Sequence, residues 1–290
     1  MKRIPHTSAS FWPAISAGRL AATIRRGSSD GCTVALLGLP DDTGVRLNQG
    51  RPGAAGGPAA FRAALARYGV GDSAAGPLPV VFDAGDVLPG RSLDETHERV
   101  TAATAALLEA GLFPVAVGGG HDLTFPFVRA VASKYPKLTG LYFDAHLDVR
   151  ETPGSGMAFR RLVEACGVNA LHLVGFRPLV NSREHLAWFQ AHGGKLHAQE
   201  TRPKLPRAKN LFVSFDLDVL DAAHAPGVSA LNPAGWTVRE AEAWVHACGA
   251  DPRVRCFDLM ELNPSFDPDG RTARVAAHLF LTFLHGFSQR

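Results

Sequence analysis

Leu138-Thr139-Gly140-Leu141-Tyr142-Phe143 is a nearly unbroken apolar run that stops abruptly at Asp144-Ala145-His146-Leu147-Asp148. Hydrophobicity that is continuous rather than alternating marks a strand buried on both faces, as in a parallel sheet. Working outward, runs of the same kind, rich in Val, Leu and Phe, recur at residues 33–39, 79–82, 113–117, 170–174, 210–215 and 254–259. Candidate helices lie between them at 58–68, 92–108, 157–165, 183–192, 238–247 and 272–287. The first opens on Gly57-Pro58, and the second on Ser92-Leu93-Asp94-Glu95, the spacing of a capping box. Strand alternating with helix predicts an α/β fold: a three-layer αβα sandwich around one mostly parallel sheet. No internal repeat and no mid-chain linker is visible. The expectation is one catalytic domain over residues 31–290, with residues 1–30 as a loosely attached N-terminal extension.

The composition excludes several function classes. Of 290 residues, 46% are hydrophobic and 20% charged, and the net charge of +3 is too small to point at nucleic acid or an anionic membrane. No stretch approaches the roughly 18 consecutive apolar residues of a membrane-spanning helix. Pro5, His6 and Pro13 interrupt the apolar core a secretory signal requires. Cys32, Cys166, Cys248 and Cys256 are scattered with no CxxC spacing, so they read as reduced thiols and the expected compartment is the cytoplasm.

In a parallel α/β sheet, ligands bind in the crevice at the carboxyl ends of the strands. Three apolar runs end in chemistry there. Residues 113–117 pass through Gly118-Gly119-Gly120 to His121-Asp122, residues 138–143 end in Asp144-Ala145-His146-Leu147-Asp148, and residues 210–215 end in Asp216-Leu217-Asp218. Side chains at i, i+2 and i+4 of an extended chain share a face, so Asp144, His146 and Asp148 are expected to project into one site, joined by Asp216 and Asp218. Four converging carboxylates at an apolar layer need compensation, because each desolvated charge costs several kcal/mol. Two divalent cations would neutralise four Asp. A ligand set of carboxylates with some imidazole and no thiolate favours a harder ion such as manganese. Each element alone has a plainer explanation. Asp-x-His-x-Asp is usually a surface loop, Asp216-Leu217-Asp218 fits a capped turn, and the Gly triplet lacks the Gly-Lys-Ser/Thr of a phosphate loop. The conjunction at successive strand ends is what points to a metal site.

On these motifs the sequence resembles the ureohydrolases: arginase, agmatinase and formimidoylglutamase. That family carries Gly-Gly-x-His, Asp-Ala-His-x-Asp and Ser-x-Asp-x-Asp elements, matched here by Gly119-Gly120-His121-Asp122, Asp144-Ala145-His146-Leu147-Asp148 and Ser214-Phe215-Asp216-Leu217-Asp218. The resemblance implies an arginase-like fold, two Mn2+ per chain held by His121, Asp144, His146, Asp148, Asp216 and Asp218, and hydrolysis of a C–N bond in a guanidine or amidine. Three further stretches look like formimidoylglutamase: Gly44-Val45-Arg46-Leu47-Asn48-Gln49-Gly50-Arg51-Pro52-Gly53-Ala54, Ala225-Pro226-Gly227-Val228-Ser229-Ala230, and Glu261-Leu262-Asn263-Pro264. Phe159 stands where arginases carry a His assigned to proton shuttling, and Met157, Ala158 and Leu231 depart from the usual formimidoylglutamase pattern.

The reading implied is N-formimidoyl-L-glutamate plus water giving L-glutamate plus formamide, a step of histidine degradation. A water shared by two metals is acidified toward neutrality. Asp148 would be both ligand and proton carrier, and Glu261 would hold the amidinium by a charge-assisted hydrogen bond. The substrate's two carboxylates call for Arg. Arg51 and Arg150 are the candidates, with Asn48 and Ser155 as further contacts. His172, His185, His192 and His197 read as structural or surface residues. The nearest rivals are agmatinase, guanidino-acid hydrolase and arginase specificities. A rival of another class is a metal-binding pseudoenzyme, which would tolerate loss of a ligand, whereas every ligand is present. The expected partner is a small-molecule substrate, with no nucleic acid and no membrane, and the chain is expected to form a homo-oligomer.

Overall fold

A computed structural model describes residues 4–69, 77–197 and 203–290. Among these, nine strands form one sheet: β1 (Thr7–Ser8), β2 (Val34–Leu39), β3 (Val81–Val87), β4 (Phe113–Gly118), β5 (Leu138–Phe143), β6 (Ala170–Val174), β7 (Lys195–His197), β8 (Asn210–Asp216) and β9 (Val254–Met260). Their order is β1-β3-β2-β4-β9-β8-β5-β6-β7. Every neighbouring pair is parallel except β1 against β3, as the mostly parallel sandwich requires. β2, β5 and β8 are buried at every residue, the physical origin of their continuous hydrophobicity.

Eight α-helices accompany the sheet: α1 (Thr43–Leu47), α2 (Gly57–Leu65), α3 (Leu93–Glu109), α4 (Thr124–Lys134), α5 (Ala158–Cys166), α6 (Arg183–Ala191), α7 (Val238–Ala250) and α8 (Arg271–Phe287). Two apolar clusters divide them. Phe61 of α2, Trp244 of α7 and Phe280 of α8 pack with Leu36, Phe143 and Phe215. Leu107 of α3, Phe127 of α4, Leu162 of α5 and Phe189 of α6 pack with Leu37, Tyr142 and Phe212. Ser92 caps α3 by accepting from the Glu95 amide at 3.2 Å, while the Glu95 carboxylate accepts from Arg91 N–H rather than closing the expected box.

Three expectations need correcting. The strand expected at 79–82 runs on to Val87 through Asp83 and Asp86, acids that do not look like buried strand. Arg62, 1% exposed, satisfies both: Nε and Nη2 donate to the Asp83 carboxylate at 2.9 Å each, and Nη1 donates to Asp86 at 2.6 Å. Second, α4 was not expected. Its first eight residues are buried except for Arg129, so they show no amphipathic period, and Pro126 is tolerated since it falls in the first turn. Third, residues 4–30 are not loosely attached. β1 pairs with β3, the Ser10 hydroxyl and Trp12 Nε1 donate to Asp83, and Ile4, Ala21 and Ile24 are buried. The arm is interrupted by Pro5 and Pro13 and shows no regular apolar period, so its sequence does not reveal the distant partners that hold it.

Candidate metal centre

β4, β9, β8 and β5 are consecutive in the sheet, so their carboxyl ends converge. β4 delivers His121 through a Gly turn, and the turn needs Gly. A Cβ on Gly119 would lie 1.8 Å from the Asp41 carbonyl oxygen, and this close approach lets the Gly119 carbonyl accept from Glu261 N–H at 2.9 Å. β8 delivers Asp216 as its last residue and Asp218 in the following 3-10 turn, where Asp216 Oδ1 accepts from the Asp218 amide at 2.7 Å. β9 delivers Glu261, whose positive φ of 66° turns its side chain out of the strand path.

The Asp144–Asp148 stretch reaches the same place, but not by strand alternation. β5 ends at Phe143, and residues 144–148 form a loop in which Asp148 has a φ of +47°. Asn181 braces this loop on either side of His146: its Oδ1 accepts from Leu147 N–H and its Nδ2 donates to the Ala145 carbonyl, both at 2.9 Å. Sequence reasoning missed Asn181, and an isolated Asn before a helix cap carries no signal that would have found it.

The six expected ligands come together in two groups that share Asp144. His121, Asp144, Asp148 and Asp216 form one, and Asp144, His146 and Asp218 the other, with donor atoms in each within 4.8 Å of one another. His121 Nδ1 lies 3.1 Å from Asp144 Oδ2 and 3.0 Å from the carboxylates of both Asp148 and Asp216. His146 Nδ1 lies 3.0 Å from Asp218 Oδ2 and 3.3 Å from Asp144 Oδ1. His121 Nδ1 and Asp144 Oδ2 are buried and lack a hydrogen-bonding partner. Orphaned donor atoms of this kind, oxygen and imidazole with no thiolate, fit two hard divalent ions.

The electrostatics say the same. Burial, then the carboxylates of Asp148 and Asp218, pushes Asp144 up to about 6, and burial with Asp218 and Asp144 raises Asp216. Burial opposes a charged His121, yet Asp216 and the surrounding carboxylates outweigh it and raise that imidazole. The site calls for added positive charge. Behind His121, Nε2 meets the Ser214 hydroxyl at 3.0 Å, and Ser214 donates to Asp258 Oδ1 at 2.6 Å. This carboxylate–hydroxyl–imidazole chain orients the ring. Asp258 was missed, although an acid inside the apolar 254–259 run is itself a signal. Phe159, at the arginase His position, is buried: its ring stacks on Tyr142 and meets His121 edge-on at 5.3 Å.

The donors open into a cleft of about 250 Å³ whose wall includes Asn48, Arg150, Ser155, Asn181, His185 and Glu261. Asn48, Ser155 and Arg150, the expected substrate contacts, all line this cleft. Glu261 Oε1 accepts from His121 N–H at 2.9 Å while Oε2 is buried without a partner, and burial pushes the group up to about 8. Arg51 is the correction. It does not line the cleft. Its guanidinium donates to the carbonyls of Ser229 (3.1 Å), Pro226 (3.4 Å) and Val228, and lies 4.0 Å over the Phe266 ring.

A three-layer α/β fold with a paired carboxylate–imidazole centre at its strand ends defines a class: dinuclear metal hydrolases. The chain belongs to the arginase family, whose model matches residues 32–286. It is 36% identical to formimidoylglutamase of Aromatoleum aromaticum, over 85% of this chain and 81% of that one. It is 35% identical to formimidoylglutamase of Halobacterium salinarum, over 89% of each. Among solved structures it is similar to Trypanosoma cruzi formiminoglutamase with Mn2+, at a TM-score of 0.86 and 30% identity, over 94% of this chain and 99% of that one.

Proposed function

We propose that this protein hydrolyses N-formimidoyl-L-glutamate to L-glutamate and formamide. The observation that carries the reading is the pair of donor groups sharing Asp144, set in a cleft with the unpartnered Oε2 of Glu261. The names of the relatives and the absence of an imidazole at Phe159 favour this specificity over arginase. His121, Asp144, Asp148 and Asp216 would hold one Mn2+, and Asp144, His146 and Asp218 a second. Two such ions acidify a shared water toward neutrality.

The chain's own groups do the rest. Glu261 Oε2 faces the amidinium and neutralises it by a charge-assisted hydrogen bond. Arg150 is exposed on the cleft wall, and its guanidinium has no hydrogen bond or ion pair among the described residues, so it is available to a substrate carboxylate. Asn48 and Ser155 supply uncharged polar contacts. Asp148 carries a proton toward the leaving nitrogen. Residues 31–290 act as the catalytic domain, and we infer a cytoplasmic homo-oligomer acting on a small molecule. All four cysteines are free thiols, and no helix among the described residues is long and apolar enough to cross a membrane.

The test is turnover by manganese-loaded protein across formimidoylglutamate, arginine, agmatine and guanidinobutyrate, with metal analysis alongside. Formimidoylglutamate should be preferred, at two ions per chain. Asp148→Asn should lower occupancy and cut turnover by orders of magnitude. Faster hydrolysis of agmatine, which has no carboxylate, would overturn the substrate while leaving the centre standing.

A further inference from the structure

The substrate brings two carboxylates, and the loss of Arg51 to backbone carbonyls leaves Arg150 facing both. Outside the two donor groups, the cleft wall carries one other side chain able to bear positive charge: His185. It is half-buried, and its imidazole has no hydrogen-bond or ion-pair partner among the described residues. Its place on the cleft wall departs from the structural or surface role expected from sequence.

We propose that His185 is the second carboxylate anchor, taking one carboxylate of the substrate while Arg150 takes the other. The proposal rests on the formimidoylglutamate reading. Three observations support the placement. First, His185 is rigidly placed: it is the third residue of α6, and its amide donates to the capping hydroxyl of Ser182 at 3.1 Å. Second, the first turn of a helix carries partial positive charge, which favours an anion beside it. Third, the cleft wall carries Asp148, Asp216, Asp218 and Glu261, so away from the metal-donor groups each substrate carboxylate needs a cation or an N–H donor beside it. An imidazole donates N–H whether neutral or charged, which Val180 and Ala230 on the same wall cannot do. Arg150 follows β5 and His185 opens α6, so the two anchors come from different elements and can grip separate ends of one chain.

The experiment pairs side-chain removal with substrate truncation. His185→Ala and Arg150→Ala are assayed on formimidoylglutamate and on synthetic formimidoyl derivatives of 4-aminobutyrate and 2-aminobutyrate, which lack the α- and the side-chain carboxylate respectively. On the full substrate, His185→Ala should lower kcat/KM by about ten- to a hundredfold through KM, with kcat nearly unchanged. Metal content and Tm should match the wild type. On one truncated derivative His185→Ala should equal the wild type, and on the other Arg150→Ala should. His185→Gln, which keeps an N–H donor, should recover part of the loss. Equal effects of His185→Ala on all three substrates, or none on any, would overturn the anchor role, as would both variants losing discrimination for the same carboxylate. Failure of the wild type to turn over formimidoylglutamate would instead overturn the reading beneath it.

Discussion

Arg51 shows how far a residue's identity falls short of its role. An Arg beside Asn48 in a Gly-rich stretch has the right chemistry to bind a carboxylate, but direction decides. Its guanidinium ties the 226–229 loop to the α1 side of the cleft through the carbonyls of Pro226, Val228 and Ser229. Removing it leaves partly buried carbonyls unpaired, at a cost of about 1–3 kcal/mol. Arg51→Ala should therefore lower Tm, by about 1.5–2 °C for each kcal/mol lost in a chain of 290 residues. Arg51→Lys should restore little, since a single ammonium cannot span the same carbonyls as the planar fork. Calorimetry with steady-state kinetics checks this; an unchanged Tm with a raised KM would return Arg51 to the substrate. His121, by contrast, stood out only in conjunction with the Asp-rich ends of two other runs, and the tertiary structure adds why Gly119 precedes it: a Cβ there would meet the Asp41 carbonyl.

At the scale of elements, the sequence reads best where burial is uniform. β5 and β8 are buried throughout, and their apolar runs marked them within a residue. β3 was cut short at its acids, and β7 is too short and too exposed at the sheet edge to leave a pattern. That edge carries a pH dependence. His172 Nδ1 lies 2.8 Å from His197 Nε2 across β6 and β7. Burial, then the charges of His197 and Lys195, lowers His172 to about 4. An unfolded chain's imidazole titrates near about 6.5. Between those values the unfolded state binds a proton the native state refuses, so this stability is present above pH about 6.5 and lost as pH falls toward 4. His172→Phe should flatten the fall of Tm over that window relative to the wild type. Parallel Tm profiles for the two proteins would refute the assignment.

For the whole molecule, metal binding and folding are linked. The two apolar clusters form without the donor groups, so the chain should remain folded after chelation. Its Tm should nevertheless drop, because ions that bind the native state alone stabilise it by about 4 kcal/mol at a thousand times their dissociation constant. Returning Mn2+ should raise Tm in proportion to the logarithm of its concentration. A Tm indifferent to Mn2+ would mean that the donors do not bind it in the native state.

The alternation of apolar runs with helical segments is a local property, and so is the termination of three runs in His and Asp. Layered architecture, strand-end location and the cluster of acids and imidazoles could therefore be read from the chain alone. Burial on both faces requires continuous hydrophobicity, and a desolvated carboxylate cluster requires cations. What required the tertiary structure was every relation between distant segments. Arg62 must reach Asp83 and Asp86 before β3 can be a strand or the N-terminal arm can pack on it. Asn181 must reach across to residues 145 and 147 before the loop can aim His146. Arg51 turns away from the cleft and His185 lines it because the fold puts carbonyls beside one and open space beside the other. Residue chemistry is written locally, whereas the partner that satisfies it lies tens to hundreds of residues away.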